Sequence, residues 1–358
     1  MNIKTQISET VDVKDWERQL SKSIGAITYQ VPAWQELYKA VYGSKPIFIT
    51  ASDSSGKILG QLAGIIHKEN FFWRDANIIS RSLGNRLGLG SIIHWFYGPI
   101  IHDKSNQDEI ISEILSAVEH IAIANNVVMI RGISPPLETD ISNMSFQKNG
   151  YSLEPGATFI IDLRQKIDDL YNSLKKDVRY YIRRSEKLDL EFELAKERKD
   201  YLEYKDLKLE ALKKEGRRRI IHGSTFIEKH WELLFKEGYE QLLVARKGGE
   251  IVGGILTLIF NGNVIQHSLV NSPKIDLVGT FLTWNLIKWA IGKKYVTFDF
   301  AGVNPKPETA KEKGIYYYAS KWGVQKYGYT RYNKILNRNK YNLFSALKNP
   351  SKVLRRLT

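Results

Sequence analysis

Between Gln241 and Val270, three apolar runs are parted by two dipeptides, Gly248-Gly249 and Asn261-Gly262. A connection of two such residues leaves no room for a crossover. The runs Gln241–Arg246, Ile251–Phe260 and Asn263–Val270 must therefore pair antiparallel as a meander. A helix-patterned stretch, Gly279–Ile291, then separates Val270 from the next strand-like run, Tyr295–Phe300, and is long enough for a parallel crossover. Both kinds of pairing occur in one sheet. This half of the chain reads as α/β, with a mixed, mostly antiparallel sheet flanked by helices and a last strand around Gly323–Asn333.

The first half follows a similar order. Pro32 opens a helix over Ala33–Tyr42 that sets Trp34, Leu37, Tyr38 and Val41 on one face. Pro46–Ala51 and Lys57–Ile66 flank Ser52-Asp-Ser-Ser-Gly56, whose residues favour a hairpin turn. Gln107–Ala124 repeats Ile110, Ile111, Ile114, Leu115, Val118, Ile121 and Ala122 at helical period and leads to a strand at Val127–Ile130. A length of 358 residues suits two domains, and Pro135-Pro136 and Pro155-Gly156 punctuate the middle. The expected division is 1–155, 156–336 and a basic amphipathic tail at 337–358. The shared order of elements suggests an internal duplication, although the residues themselves do not align.

Charge bears on partners. Against 39 acidic residues stand 53 Lys and Arg, a net charge of +14, which attracts phosphates, nucleic acid or an anionic membrane surface. The absence of cysteine excludes disulfides, thiolate zinc sites and a cysteine nucleophile, and the 7 histidines have no metal-ligand spacing. Neither a metal nor a resident cofactor is expected. Met1–Thr10 has no apolar core of a signal peptide, and the most apolar stretches, Ile92–Ile101 and Ile251–Phe260, are about half as long as a membrane-spanning helix. A cytoplasmic location is expected. The tail suits either a peripheral hold on the inner membrane face or packing on the domain: Tyr341, Leu343, Phe344, Leu347, Val353, Leu354 and Leu357 lie among Lys340, Lys348, Lys352, Arg355 and Arg356, interrupted by Pro350.

The clearest chemical pattern is a basic helix over Asp168–Leu188. Leu170, Leu174, Val178 and Ile182 form an apolar file, and Lys175, Arg179 and Arg183, followed by Arg184, form a cationic one beside it. Guanidinium groups bind phosphate oxygens in pairs and stay charged, so such a row suits a nucleotide, a pyrophosphate or an RNA backbone; a solvated helix face is the alternative. Transfer of an acyl group to an amine needs a polarised carbonyl and a route for the amine proton. His267, on a strand, and Asp299, at a strand end where α/β ligands usually lie, are candidates for that work. Trp34, Tyr316, Tyr317 and Tyr318 are candidates to stack on a base or line a groove.

Three segments carry a family resemblance. Ala157-Thr-Phe-Ile-Ile-Asp-Leu163 followed by Leu174-Lys-Lys-Asp-Val-Arg-Tyr-Tyr-Ile-Arg-Arg-Ser-Glu-Lys187 resembles the opening of the second domain in the Fem family of aminoacyl transferases. Tyr295-Val-Thr-Phe-Asp-Phe-Ala-Gly-Val303, then Gly314-Ile-Tyr-Tyr-Tyr-Ala-Ser-Lys-Trp-Gly323, is similar to the family's late pattern of an Asp-Phe-Gly-Gly strand end, a lysine and a closing aromatic-Gly. Tyr29-Gln-Val-Pro-Ala-Trp34, with Tyr42-Gly43 and Pro46, is similar to the N-terminal motif. The resemblance spans about residues 20–336 and implies tandem GNAT-like domains. It implies transfer of an aminoacyl or acyl group to an amine, with an aminoacyl-tRNA or acyl donor and an anionic nucleotide- or lipid-linked acceptor from cell-envelope synthesis. Members with a long helical arm are not close matches, because residues 188–240 hold no sustained heptads.

Two departures affect the chemistry that the resemblance implies. The family's late lysine, which stabilises the oxyanion, falls on Ala319. Lys321, two residues on, takes the same side only if the stretch is extended, and Lys313 is a further candidate. In the N-terminal motif, Tyr38 occupies the usual lysine place and Lys39 the next. The Gln/Arg-x-x-Gly-x-Gly/Ala loop of acetyl-CoA enzymes is missing: Arg86-Leu-Gly-Leu-Gly90 is one residue too short, and Val278-Gly-Thr280 lacks the set. An N-acyltransferase using an acyl thioester and a non-catalytic RNA- or membrane-binding descendant therefore stand as alternatives.

Overall fold

The computed structural model describes residues 2–67, 89, 91–138, 141–214 and 228–348. Its elements, in chain order, begin with β1 (Lys4–Ser8), α1 (Val13–Leu20), α2 (Pro32–Tyr42), β2 (Lys45–Ser52), β3 (Ile58–His67), β4 (Ile92–His94) and β5 (Ile100–Ile101). They continue with α3 (Gln107–Ala124), β6 (Met129–Ile133), α4 (Asn143–Lys148), β7 (Ser152–Asp162), α5 (Ile167–Ser173), α6 (Lys176–Ser185) and β8 (Glu191–Leu194). The remainder are α7 (Arg198–Lys214), β9 (Glu240–Lys247), β10 (Glu250–Phe260), β11 (Asn263–Asn271), α8 (Val278–Gly292), β12 (Thr297–Val303), α9 (Ala310–Ser320), β13 (Gln325–Ile335) and α10 (Arg338–Lys348). Arg86–Gly90 of the rejected glycine loop lies, apart from Leu89, outside the described residues.

The chain divides into a first unit, Met1–Pro155 with Tyr329–Thr358, and a second, Gly156–Gly328. In the first unit the strand order is β1-β2-β3-β4-β6-β13. Its first four strands pair antiparallel, β4 and β6 run parallel around the α3 crossover, and β13 closes antiparallel on β6. The second unit has the order β8-β9-β10-β11-β12-β7. Again four strands are antiparallel, β11 and β12 are parallel around α8, and β7 closes antiparallel. The two sheets match place for place. The last place in each is filled out of turn: β7 follows the first unit's α4 yet belongs to the second sheet, and β13 follows the second unit's α9 yet belongs to the first.

The tight turns behave as their residues require. Gly248 and Gly249 take φ of +57° and +84°, and Asn261 and Gly262 take +48° and +77°, the left-handed pair of a two-residue hairpin. In the first unit, Ile110, Ile111, Ile114, Leu115 and Val118 of α3 pack on Ile47, Ile49, Leu62, Ile93 and Ile130 of the sheet. Each such side chain contributes about 1.5–3 kcal/mol by leaving water. In the second unit one face of the sheet carries α5, α6, α8 and α9, and the other carries α7 through Tyr201 and Tyr204.

Two expectations need correction. The last strand and helix do not form part of the second unit and a separate tail, because β13 pairs with β6 from Arg331 to Ile335 and draws the chain end into the first unit. Within α10, Phe344 is buried against Leu89 with Leu347 beside them, while Leu343 is exposed; 349–358 lie outside the described residues. The basic helix is also broken. Leu174 and Lys175 are extended, with ψ of 148° and 151°, so α5 ends at Ser173 and Lys175 caps α6 instead of sharing a helical row with Arg179 and Arg183. The apolar file survives the break: Leu170, Leu174, Val178 and Ile182 are all buried. Among the described residues no helix is long and apolar enough to cross a membrane.

Candidate functional site

Lys321 ends α9, whose start is fixed by a capping box between Thr309 and Glu312. The stretch is helical up to this residue, which sets Lys321 on a different side from Ala319, and Ala319 is buried in the apolar core. The extended alternative is therefore corrected. The lysine is only 8% exposed. Its ammonium lies 5.0 Å from the ring of Tyr318, 5.6 Å from Tyr181, 5.8 Å from Tyr317 and 5.9 Å from Trp322. Four aromatic faces offset part of the cost of removing the charge from water. Asp177 adds its field, and its carboxylate accepts a hydrogen bond from Tyr317 Oη at 2.8 Å. Desolvation lowers the lysine's proton affinity, and Asp177 acts the other way. Among the described residues Nζ has neither a hydrogen-bond acceptor nor an ion-pair partner within 4.0 Å, so its N–H donors are available.

Local backbone explains the cage. Gly323, just after Trp322, has φ of +67°, and a Cβ there would stand 2.9 Å from Ser173 Oγ and 3.2 Å from Leu170 Cδ1. The closing aromatic-Gly of the motif thus turns the chain hard against the end of α5. Gly323→Ala is expected to cost about 1–2 kcal/mol through the left-handed backbone alone, read as a lower urea midpoint with unchanged slope.

The cage is joined to the start of α8. Tyr318 Oη donates to the Gly279 carbonyl at 3.0 Å and accepts from Thr283 Oγ1 at 2.6 Å. Burial raises its proton affinity, so it stays a phenol. The Tyr318 hydroxyl is thus committed to tying α9 to α8. Leu277, at φ +66°, gives α8 no side-chain cap, so the first-turn N–H groups receive none from it. Such a terminus favours an anion by about 0.3–2 kcal/mol.

On α6, Asp177 and Tyr181 stand one turn apart and face the caged lysine, while Arg179 and Arg183 lie on roughly the opposite side of the helix. Arg179 donates to the Asn172 carbonyl at 3.2 Å and Arg183 to Tyr171 Oη at 3.1 Å. Neither they, Lys175 nor Arg184 is in an ion pair among the described residues, so the cationic row is open to an external anion. Arg184 lies over the exposed ring of Tyr180, 5.7 Å from its centroid. The row and the cage flank one helix without merging.

Other expected site residues are placed elsewhere. Trp34 is in the first unit, 3% exposed and packed edge-on against Tyr29, so it is a core residue of α2 and not a stacking platform. Tyr316 is half-buried on Phe159, with Lys326 over its ring at 5.5 Å. His267 is the extra residue of a bulge in β11, exposed, and its neighbours Lys208 and His230 belong to the layer opposite Lys321. Asp299 is 4% exposed, and its Oδ1 accepts from Thr158 Oγ1 and from Ala301 N at 2.8 Å. Those bonds hold the bend at Ala301, where φ is +65° and the family motif has Gly.

Burial pushes Asp299 up to about 6, against the lowering pull of its two hydrogen bonds. A folded-state value above the unfolded one means that the native protein holds the proton more tightly. Stability therefore falls as pH rises from about 4 to about 6, by about 3 kcal/mol for an aspartate raised this far. Asp299→Asn should flatten the slope of Tm against pH across that window. An unchanged slope would show that another group is responsible.

Sequence reasoning missed Asp177, Tyr181, Thr283 and Gly279. Asp177 and Tyr181 did sit inside a quoted motif at one-turn spacing, but no local signal ties them to Tyr317, 140 residues away. Among the described residues no cluster of three or more His, Asp or Glu is arranged to hold a metal.

Residues 172–313, which include Asp177, α8 and the start of α9, match the acetyltransferase (GNAT) domain family. That match falls within the second unit. No curated protein matches its sequence. Among solved structures, FemX superposes with a TM-score of 0.74 at 14% identity, covering 96% of this chain and 99% of that one. L-PGS from Bacillus licheniformis gives 0.53 at 13% identity over 96% and 97% of the two chains. A tandem GNAT protein from the clavulanic acid biosynthesis pathway gives 0.55 at 9% over 93% and 98%. At these identities the likeness concerns the fold, two GNAT units in tandem. The parallel pair β11/β12 is joined through the crossover helix α8, and parallel strands in general meet ligands at their carboxyl ends.

Proposed function

We propose that the second unit transfers an aminoacyl or acyl group from an activated donor to an amine, and that Lys321 stabilises the oxyanion formed on the way. The observation that carries this reading is a lysine 8% exposed whose N–H groups have no acceptor among the described residues. A buried charge held without a partner is costly, and aromatic faces recover only part of that cost. A negative oxygen arriving in the reaction supplies the missing acceptor.

The amine nitrogen attacks the donor carbonyl carbon, a C–N bond forms, and the carbonyl oxygen takes the negative charge beside Lys321. Collapse breaks the bond to the leaving oxygen or sulfur, which takes up the proton that the nitrogen gives up. The first turn of α8, tied through Tyr318 to the cage, supports a hold on a donor phosphate. Arg179 and Arg183 support a hold on the phosphate backbone of a charged tRNA or on the pyrophosphate of a nucleotide- or lipid-linked acceptor. Donors of this type place the reaction in the cytoplasm, with the cell envelope as destination of the product.

A thioester donor is the second reading, favoured by the match of 172–313 to an acetyltransferase domain. The two separate in one assay. Product formed from aminoacyl-tRNA and abolished by ribonuclease supports the first reading; product formed from an acyl thioester and indifferent to ribonuclease supports the second. No product from either, with salt-sensitive RNA binding intact, leaves a binding protein.

A further inference from the structure

A basic cleft of about 600 Å³ in the first unit has no part in the transfer chemistry above. Its volume is that of a site for a small organic ligand. Segments far apart in sequence line it: Lys22, Ser23 and Ile24 after α1, Lys57 and Ile58 at the β2–β3 hairpin, and Ile101, His102 and Lys104 after β5, with Glu138. Three lysines thus share this lining with one carboxylate, and Lys22 Nζ donates to Gln19 Oε1 at 2.5 Å.

That carboxylate is committed. The Glu138 side chain is 7% exposed; it accepts from Ser23 Oγ through Oε1 and from Lys104 Nζ through Oε2. It packs so closely on the backbone that a Cβ at Gly25 would lie 2.2 Å from its Cγ. Glu138 therefore positions Lys104 and leaves the charge of the other two lysines uncompensated within the cleft. Asp53 and Asp103, which feel the charge of Lys57 from outside the lining, are bonded to their own turns through Ser55 and Ser105.

His102 reports the same field. Gln61 donates through Nε2 to the Trp16 carbonyl at 3.3 Å, so its Oε1 accepts from His102 Nε2 at 3.0 Å and the imidazole keeps its lone pair on Nδ1. Desolvation, then Lys22 and Lys104, lower its proton affinity to about 4 against the raising pull of Glu138. Burial is the main reason that the ring is neutral at pH 7, and the charges of Lys22 and Lys104 act in the same direction.

We propose that this cleft binds a phosphate group borne by a small organic molecule. A phosphate dianion or a diphosphate meets Lys22 and Lys57 and the positioned Lys104, and Ile24, Ile58 and Ile101 accept the body that carries it. A second cleft, of about 310 Å³, shares Gln19 and Ile58 with the first and continues along Thr50, Gln61 and Asp12, giving that body somewhere to extend. The inference does not depend on acyl transfer. A lipid headgroup and an RNA backbone present the same group, and the test separates them.

The full chain is titrated calorimetrically at low salt with inorganic phosphate, pyrophosphate and AMP, and separately with phosphatidic-acid vesicles and a short RNA. The expected result is saturable binding of at least one small phosphate. That binding should weaken at least tenfold in Lys22→Gln/Lys57→Gln, whose Tm stays unchanged. On saturation, the NMR titration of His102 should move to higher pH, since a bound anion offsets the lysine charges. Failure of all three small phosphates to saturate overturns the proposal, as does equal binding by the Lys22/Lys57 variant. Binding of vesicles or RNA without small phosphates also overturns it and reduces the lysines to a surface patch.

Discussion

Replacing Lys321 by Met is expected to lower the turnover of transfer about 10²- to 10³-fold, the loss typical for removal of an oxyanion donor, with little change in KM. Methionine keeps most of the side-chain volume among Tyr181, Tyr317, Tyr318 and Trp322 and removes a charge that has no acceptor there. The melting temperature should therefore hold or rise. A pH profile adds a readout that mere packing would not move. Only the ammonium form donates, so activity falls as pH rises through the lysine's folded-state value, which burial sets below the usual 10.5. Asp177 raises that value. Asp177→Asn should accordingly shift the alkaline limb to still lower pH while Lys321 remains in place. For stability the sign follows from the same shift: the unfolded chain holds the proton more tightly, so native stability grows as pH climbs through this range, and Lys321→Met should abolish that gain. Full turnover in Lys321→Met would remove the lysine from the mechanism.

The second large effect concerns the row on the far side of α6. Replacing Arg179 and Arg183 together by Gln is expected to weaken binding of the phosphate-bearing substrate about 10- to 100-fold, from the loss of two charge-assisted contacts. The logarithmic salt dependence of tRNA binding should become shallower by about 1.4, on the single-strand value of roughly 0.7 for each phosphate contact. Stability should change by less than about 0.5 kcal/mol, because each guanidinium donates only to one neutral oxygen, of Asn172 or Tyr171. A large drop in Tm with unchanged binding would make the row structural. Lys321→Met leaves the salt dependence alone, so the two experiments test separate parts of the proposal.

Much of the fold was legible because it is written in local chemistry. Gly248-Gly249 and Asn261-Gly262 are left-handed pairs in the structure as their composition demands, and the antiparallel meander follows from them. Pro32 and Gly43 bracket α2 for the same kind of reason. The interruption between α5 and α6 was not legible, since Leu170, Leu174, Val178 and Ile182 remain a buried file on both sides of it and no Gly or Pro marks the break. The site was legible one residue at a time. Lys321 was named without its cage, because Asp177, Tyr181 and Thr283 reach it only through packing of α6, α8 and α9. Ala319 stands where the resembling motif has its lysine, yet its position is buried in the apolar core.

The reciprocal placement of β7 and β13 has a consequence for inheritance. A chain severed at the Pro155–Gly156 junction leaves its amino-terminal portion without β13, and the backbone groups of Met129–Ile133 lose the neighbour that satisfies them. The carboxyl-terminal portion keeps β13 and also every β7 residue that pairs with β12, from Ala157 to Asp162. The dependence runs one way: the first unit draws its closing strand from the far end of the chain, so it cannot be shuffled by recombination into another gene as one continuous module.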